Sequence, residues 1–193
     1  MTKEASALDR QIASAARVRV FDDGVTNDRP VSRSPVLELH RPGDLQHLRS
    51  ALAVTAVTDW LCMCIGDAAF EFVDVNGGSL ATIGLHHGTH IRWSFWDGDA
   101  QLSDGIGLLN WLADAGFTAP LDRHRQDLEQ RAVAAAQAQA WSDAVPEPLS
   151  DLIPRMLATS QTGVVDSDLI RLASDRMATS FPETVERCQI LLE

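Results

Sequence analysis

Cys62 and Cys64 stand one residue apart, and further along the chain comes the imidazole run His86-His87-Gly88-Thr89-His90. Thiolates and imidazoles are the ligand types that hold zinc, so this order of residues raises a Cys/His metal site. The spacing is not one of the strong zinc-knuckle patterns. A second chemistry needs no thiol: two histidines plus a carboxylate can hold iron or zinc with positions left open. Other chemistries lack their signatures. There is no Gly-x-Ser-x-Gly elbow and no phosphate loop, and Asn76-Gly77-Gly78-Ser79 reads as a hairpin turn rather than a dinucleotide fingerprint. No catalytic residue is assigned.

Whether these residues meet depends on the strands that carry them. Val57 to Ile65 is apolar on both alternating faces and reads as a strand covered on both sides. Ala69 to Val75, Ser79 to His86 and His90 to Trp96 follow, separated by short Gly-containing turns. Together they read as a four-stranded antiparallel meander. A two-residue loop at Asn76-Gly77 sets Phe72 opposite Ala81 and Phe70 opposite Ile83, which collects Phe70, Phe72, Ala81, Ile83 and Leu85 on one face. At the next turn a two-residue loop would push Ile91, Trp93 and Phe95 off that face. A three-residue loop, His87 to Thr89, pairs Leu85 with Ile91, Ile83 with Trp93 and Ala81 with Phe95, and keeps the apolar face continuous. Burying those side chains is worth several kcal/mol, roughly 1.5–3 for each, which outweighs any turn preference. The three-residue loop is therefore expected.

That parity puts His86 and His90 side by side on the opposite face, with Gly84 opposite Arg92 below them and the turn Gly66-Asp67-Ala68 at the same end. The expected metal ligands are His86, His90 and Asp67, with His87 beside them; Arg92 and Glu71 are the expected ligand-binding pair. On this strand reading Cys64 lies two strands from His86, about 10 Å sideways, too far for one zinc. Three residues rather than two in the turn after Ile65 would instead turn both cysteines toward the core, as small apolar side chains. Cys62 and Cys64 would also sit at the edge of disulfide reach with parallel side chains, so reduced thiols are expected.

The rest of the chain is mostly helical. Residues 1–16 read as a polar, Ala-rich segment, either flexible or a frayed helix. Residues 17–117 read as the sheet domain, which includes short strands at Val18 to Phe21 and Val36 to His40, a helix opened by Pro42-Gly43-Asp44 and another from Ser103-Asp104 to Ala115, closed by Gly116. Residues 118–193 read as an all-helical C-terminal region. A capping box at Ser180-Phe181-Pro182-Glu183 is expected to start a last helix through Val185, Cys188 and Leu192. The fold class is thus α+β: a four-stranded meander packed by helices, with a helical extension. Five tryptophans and no tyrosine raise a partner-binding face, although Trp93 and Trp111 are expected to pin a helix to the sheet.

The chain has 193 residues, 45% of them hydrophobic, and a formal charge of -11. That charge repels phosphate backbones, and the arginines are interleaved with acids, so no nucleic-acid partner is expected. No apolar run is long enough to span a membrane and no leader segment is read at the N-terminus, so a cytoplasmic protein is expected. The pattern Cys62-Met63-Cys64-Ile65-Gly66-Asp67, then Leu85-His86-His87-Gly88, then Ile91-Arg92-Trp93, resembles uncharacterised actinobacterial proteins. The resemblance extends through Leu102 to Gly116 and the Phe181 to Leu192 helix, and implies that the chain is truncated at Glu193. It implies no activity. The functional expectation is a non-enzymatic binding or regulatory protein with a protein partner and no cofactor. The alternative is a zinc- or iron-binding protein or metal-dependent enzyme built on the His/Asp cluster.

Overall fold

Alternation of apolar and polar residues along two central strands organises the first part of the chain. The computed structural model describes residues 3–183, in two units, Met1–Leu128 and Glu129–Glu193. The first unit contains α1 (Lys3–Ile12), β1 (Arg17–Asp22), β2 (Val25–Thr26), β3 (Arg29–Pro30), β4 (Leu37–Leu39), α2 (Pro42–Ala51) and β5 (Val54–Val57). It continues with β6 (Ala68–Val73), β7 (Ser79–His86), β8 (His90–Trp93), β9 (Ala100–Leu102), α3 (Gly105–Asp114) and the start of α4 (Ala119–Ala144). Seven strands form one antiparallel sheet in the order β4-β1-β6-β7-β8-β9-β5, and β2 with β3 makes a separate small hairpin.

Val18 and Val20 of β1 pair with Phe72 and Phe70 of β6, which pair in turn with Ala81 and Ile83 of β7. These side chains and Leu85, Ile91 and Trp93 fill one core with Leu8 and Ile12 of α1, Leu48 of α2 and Leu108, Leu109 and Leu112 of α3. Each fully buried Phe or Ile contributes about 1.5–3 kcal/mol. Asp104 caps α3 by accepting the Gly107 N–H at 2.8 Å. Gly116, at φ +100°, ends it in a conformation that a side chain would strain.

The opposite face of the sheet is where structure and expectation diverge. The α+β class holds, but the sheet has seven strands rather than four. Of the segment Val57 to Ile65 expected as a first meander strand only Val57 lies in a strand, the end of β5, which pairs with β9 at the sheet edge rather than with β6. Residues 58–67 leave the sheet and form an irregular segment over its second face. Their backbone groups find other partners: Asp99 takes the Thr58 and Cys62 N–H groups and donates its own to Trp60 O. A ladder is then not needed to satisfy them. The apolar character that suggested a doubly buried strand is partly exposed instead, at Trp60, Leu61, Met63 and Ile65.

The last meander strand is also shorter than expected. It ends at Trp93, where Trp96 N–H bonds back to Trp93 O, and Phe95 is 80% exposed rather than opposite Ala81. The chain re-enters as β9, which the sequence pattern did not indicate. The two turns that set the register behave differently. At 74–78 the expected Phe72–Ala81 and Phe70–Ile83 pairs form, but through a longer turn held by the Asp74 carboxylate, which accepts from Asn76 and Gly78. At 87–89 the three-residue loop forms as expected, pairing Ile83 with Trp93, Leu85 with Ile91 and His86 with His90.

At the N-terminus, the segment expected to be polar and either flexible or a frayed helix forms α1, whose Leu8 and Ile12, one helical turn apart, are buried in the core. In the second unit α4 is followed by a 3-10 helix (Glu147–Leu152), α5 (Ile153–Thr162) and α6 (Ser167–Ser180). Leu149, Leu152, Leu169 and Met177 form its own small core. Asp166 caps α6 by accepting the Leu169 N–H, and Gly163 at φ +67° closes α5. This agrees with an all-helical C-terminal region. The expected last helix through Cys188 lies outside the described residues. No helix among the described residues is long and apolar enough to cross a membrane.

Candidate metal centre

The turn after β7 aims two adjacent histidines at one place. His86 ends β7 on the face opposite the core, and His87 follows at φ +52° with Gly88 at φ +68°. Two successive left-handed residues fold the turn tightly enough for Thr89 N–H to reach His86 O at 3.2 Å. The first turns of α4 hold the loop from outside. His124 Nδ1 donates to the His87 carbonyl at 3.2 Å, and Arg123 donates to Asp67 O at 2.6 Å.

The 58–67 segment then lays both cysteines over this turn. Cys64 Sγ lies 3.1 Å from His86 Nδ1, and Cys62 Sγ lies 3.1 Å from His87 Nε2. The sulfurs are 3.0 Å apart, and His87 Nε2 is 3.6 Å from Cys64 Sγ. Donor atoms of Cys62, Cys64 and His86 all fall within 4.8 Å of one another. Donors on one tetrahedral zinc stand about 3.3–3.8 Å apart, given bonds of 2.0–2.3 Å. The trio is therefore within a small adjustment of a zinc shell; His87 Nε2 adjoins both sulfurs but stands outside this group of three.

A buried ion pair positions the segment. Asp99 is fully buried and takes Arg92 in a two-pronged bond, 2.7 Å from Nε and 3.0 Å from Nη2. Its Oδ2 also accepts the Cys62 N–H at 2.9 Å, while Arg92 Nη2 donates to Cys62 O at 2.5 Å. Both backbone polar groups of Cys62 are thus held by one pair of side chains. The fold buries two polar side chains among the described residues, His86 and Asp99, and both are here.

Burial and neighbours set the protonation of each group. Burial, aided by the Arg92 charge, pushes His86 down to about 4, so it is a neutral imidazole at neutral pH and need lose no proton to bind a metal. Burial pushes the Cys64 thiol up to about 11, with the hydrogen bond to Cys62 adding to it. For Cys62 burial also acts upward, but hydrogen bonds from Cys64 and the nearby His87 outweigh it and leave the thiol below its ordinary value. His87 is held above its ordinary value, chiefly by the bond to Cys62. For Asp99 burial acts upward, and the bonds from Arg92 and the Cys62 N–H win, keeping it low.

The residues singled out from the sequence are distributed unevenly over this arrangement. His86 belongs to the trio, and His87 contacts both of its sulfurs. His90 lies across from His86 in the ladder, but its Nδ1 contacts Thr89 Oγ1 at 3.0 Å, and it is not in the trio. Asp67 is spent on the turn itself, accepting the Gly88 N–H at 3.2 Å. Arg92 and Glu71 belong to separate ion pairs, Arg92 with Asp99 and Glu71 with Arg19. Cys64, which strand geometry placed two strands away from His86, is in contact with it because residues 58–67 are not a strand.

Three contributors were not anticipated. Asp99 and His124 act through hydrogen bonds already described, and Asp127 Oδ2 lies 3.8 Å from His87 Nδ1. The helical spacing of Arg123, His124 and Asp127 was the one available signal, since residues three and four apart share a helix face. Compared with known proteins, the chain matches no family model, and neither the curated proteins nor the solved structures give a match.

Proposed function

We propose that this protein binds zinc through Cys62, Cys64 and His86, with His87 closing the shell, and that the centre serves a structural or regulatory role. The observation that carries the reading is the convergence of two sulfurs and a buried, neutral imidazole within 4.8 Å. Thiolate and imidazole donors suit zinc, whereas calcium and magnesium take oxygen donors, which this trio does not offer. A shell of four protein donors leaves no open position, the condition of structural rather than catalytic zinc sites. A reducing intracellular compartment suits the two free thiols. A protein partner remains part of the reading, with the centre stiffening the exposed 60–65 segment that would meet it.

Zinc titration of the reduced full-length chain tests this. The wild-type chain takes up one equivalent. Cys62→Ser, Cys64→Ser and His86→Gln each lose stoichiometric uptake, and His90→Ala keeps it. No uptake by the wild type overturns the reading. Loss in His90→Ala or Asp67→Asn, with the cysteine variants unaffected, moves the metal to the His/Asp set.

A further inference from the structure

We propose that Cys62 and Cys64 form a reversible disulfide with each other, and that this bond dismantles the metal centre. The switch rests on the zinc reading; the bond does not. The sulfurs stand 3.0 Å apart, so about 1 Å of approach brings them to the length of an S–S bond. They also sit closer than the roughly 3.7 Å expected of two thiolates on one zinc, so the segment accommodates sulfur contact without a metal between. Cys62 is fixed at both its N–H and its carbonyl by Asp99 and Arg92. Beyond Cys64 the backbone is also held, by the Val25 N–H on the Ile65 carbonyl, so the remaining approach falls to rotation of the two side chains about their Cα–Cβ bonds. Access is open: Met63, between the two, is 98% exposed.

The two sulfurs have different surroundings. Cys64 Sγ backs onto His86, which is 1% exposed, and Cys62 Sγ faces His87, whose side chain is 38% exposed. Cys62 therefore meets an external oxidant first. With a low-molecular-weight disulfide as oxidant, Cys62 Sγ attacks one of its sulfurs; that S–S bond breaks and one thiol leaves. Cys64 Sγ then attacks the Cys62 sulfur of the mixed disulfide and expels the second thiol. The cysteine pair loses two electrons, the external disulfide gains them, and the two thiol protons end on the two released thiols. From the zinc-bound form those protons come from solvent, and zinc leaves because both of its sulfur donors are consumed.

The experiment uses full-length chain carrying Cys188→Ser, metal-free or zinc-loaded, equilibrated with oxidised glutathione. Mass spectrometry of the tryptic peptide spanning residues 50–92 and a chromogenic zinc chelator give the readouts. The expected result is loss of two hydrogens within that peptide in the metal-free chain, and zinc release in step with the same loss in the loaded chain. Reduction restores zinc uptake. Cys64→Ser should instead stop at a glutathione adduct on Cys62. Persistent adducts without an internal bond in the metal-free chain overturn the proposal and leave zinc binding standing. Zinc retained by the bridged chain overturns it as well. A reduced chain that takes up no zinc overturns the zinc reading and the switch with it, and the loss of two hydrogens in the metal-free chain still decides the bond.

Discussion

Asp99→Ala should lower the unfolding free energy by about 1.5–3 kcal/mol, the worth of hydrogen bonds to a charged group, because the Arg92 left without its partner is partly exposed. Asp99 is wholly inaccessible, and its removal strands the Arg92 guanidinium against Cys62 O and frees the Cys62 N–H. The loss therefore falls on both the sheet and the segment that carries the thiols, and zinc affinity should weaken with stability, by roughly ten- to a hundredfold as for other supporting partners of metal ligands. Asp99→Asn keeps a hydrogen-bond acceptor for Cys62 and should lie between the alanine variant and the wild type. Replacing Arg92 and Asp99 together with leucine removes the unpaired charge and should recover much of the stability but not the metal affinity. Urea unfolding followed by tryptophan fluorescence reads the effect, since Trp60, Trp93, Trp96 and Trp111 all belong to the first unit. An Asp99→Ala variant within about 0.5 kcal/mol of wild type, the range of ordinary surface changes, would show that the pair does not hold this face together.

The second large effect is a pH dependence. An unfolded histidine takes up a proton near 6.5, whereas His86 in the fold resists until about 4. Between those values the unfolded chain binds more protons than the folded one, so stability falls as the pH falls. The full contribution of the neutral imidazole is present above 6.5 and is lost on acidification toward 4, amounting to roughly 3 kcal/mol at 1.36 kcal/mol per unit. Metal-free protein should therefore show a declining urea midpoint over this window, and His86→Gln should flatten that decline. An unchanged slope in the variant would mean that the acid sensitivity arises elsewhere.

The part of the site that was legible in the sequence is the part governed by a local rule. Side-chain parity, together with the apolar residues at 83, 85, 91 and 93, forces a three-residue turn and sets His86 beside His90. Neither step needs a partner far along the chain. The thiol half was not legible, because nothing local distinguishes a doubly buried strand from an apolar segment lying across a sheet. What decides between them is Asp99, which binds the Cys62 backbone from 37 residues away, and no periodic pattern marks such a partner. Of the outer strands, Leu37–Leu39 falls within the stretch Val36 to His40 that reads as a short strand, whereas Ala100–Leu102 was missed: three residues are too few for alternation to show, and it is placed by pairing with its neighbours. The C-terminal helices carry their own caps, at Asp166 and Gly163, and could be read directly.

The central claim is that sulfur and imidazole from two distant segments share one metal. X-ray absorption at the zinc edge of the loaded, reduced protein tests it most directly. The account predicts a first shell of two sulfurs near 2.3 Å with nitrogen at about 2.0–2.1 Å. A shell of nitrogen and oxygen alone would contradict it.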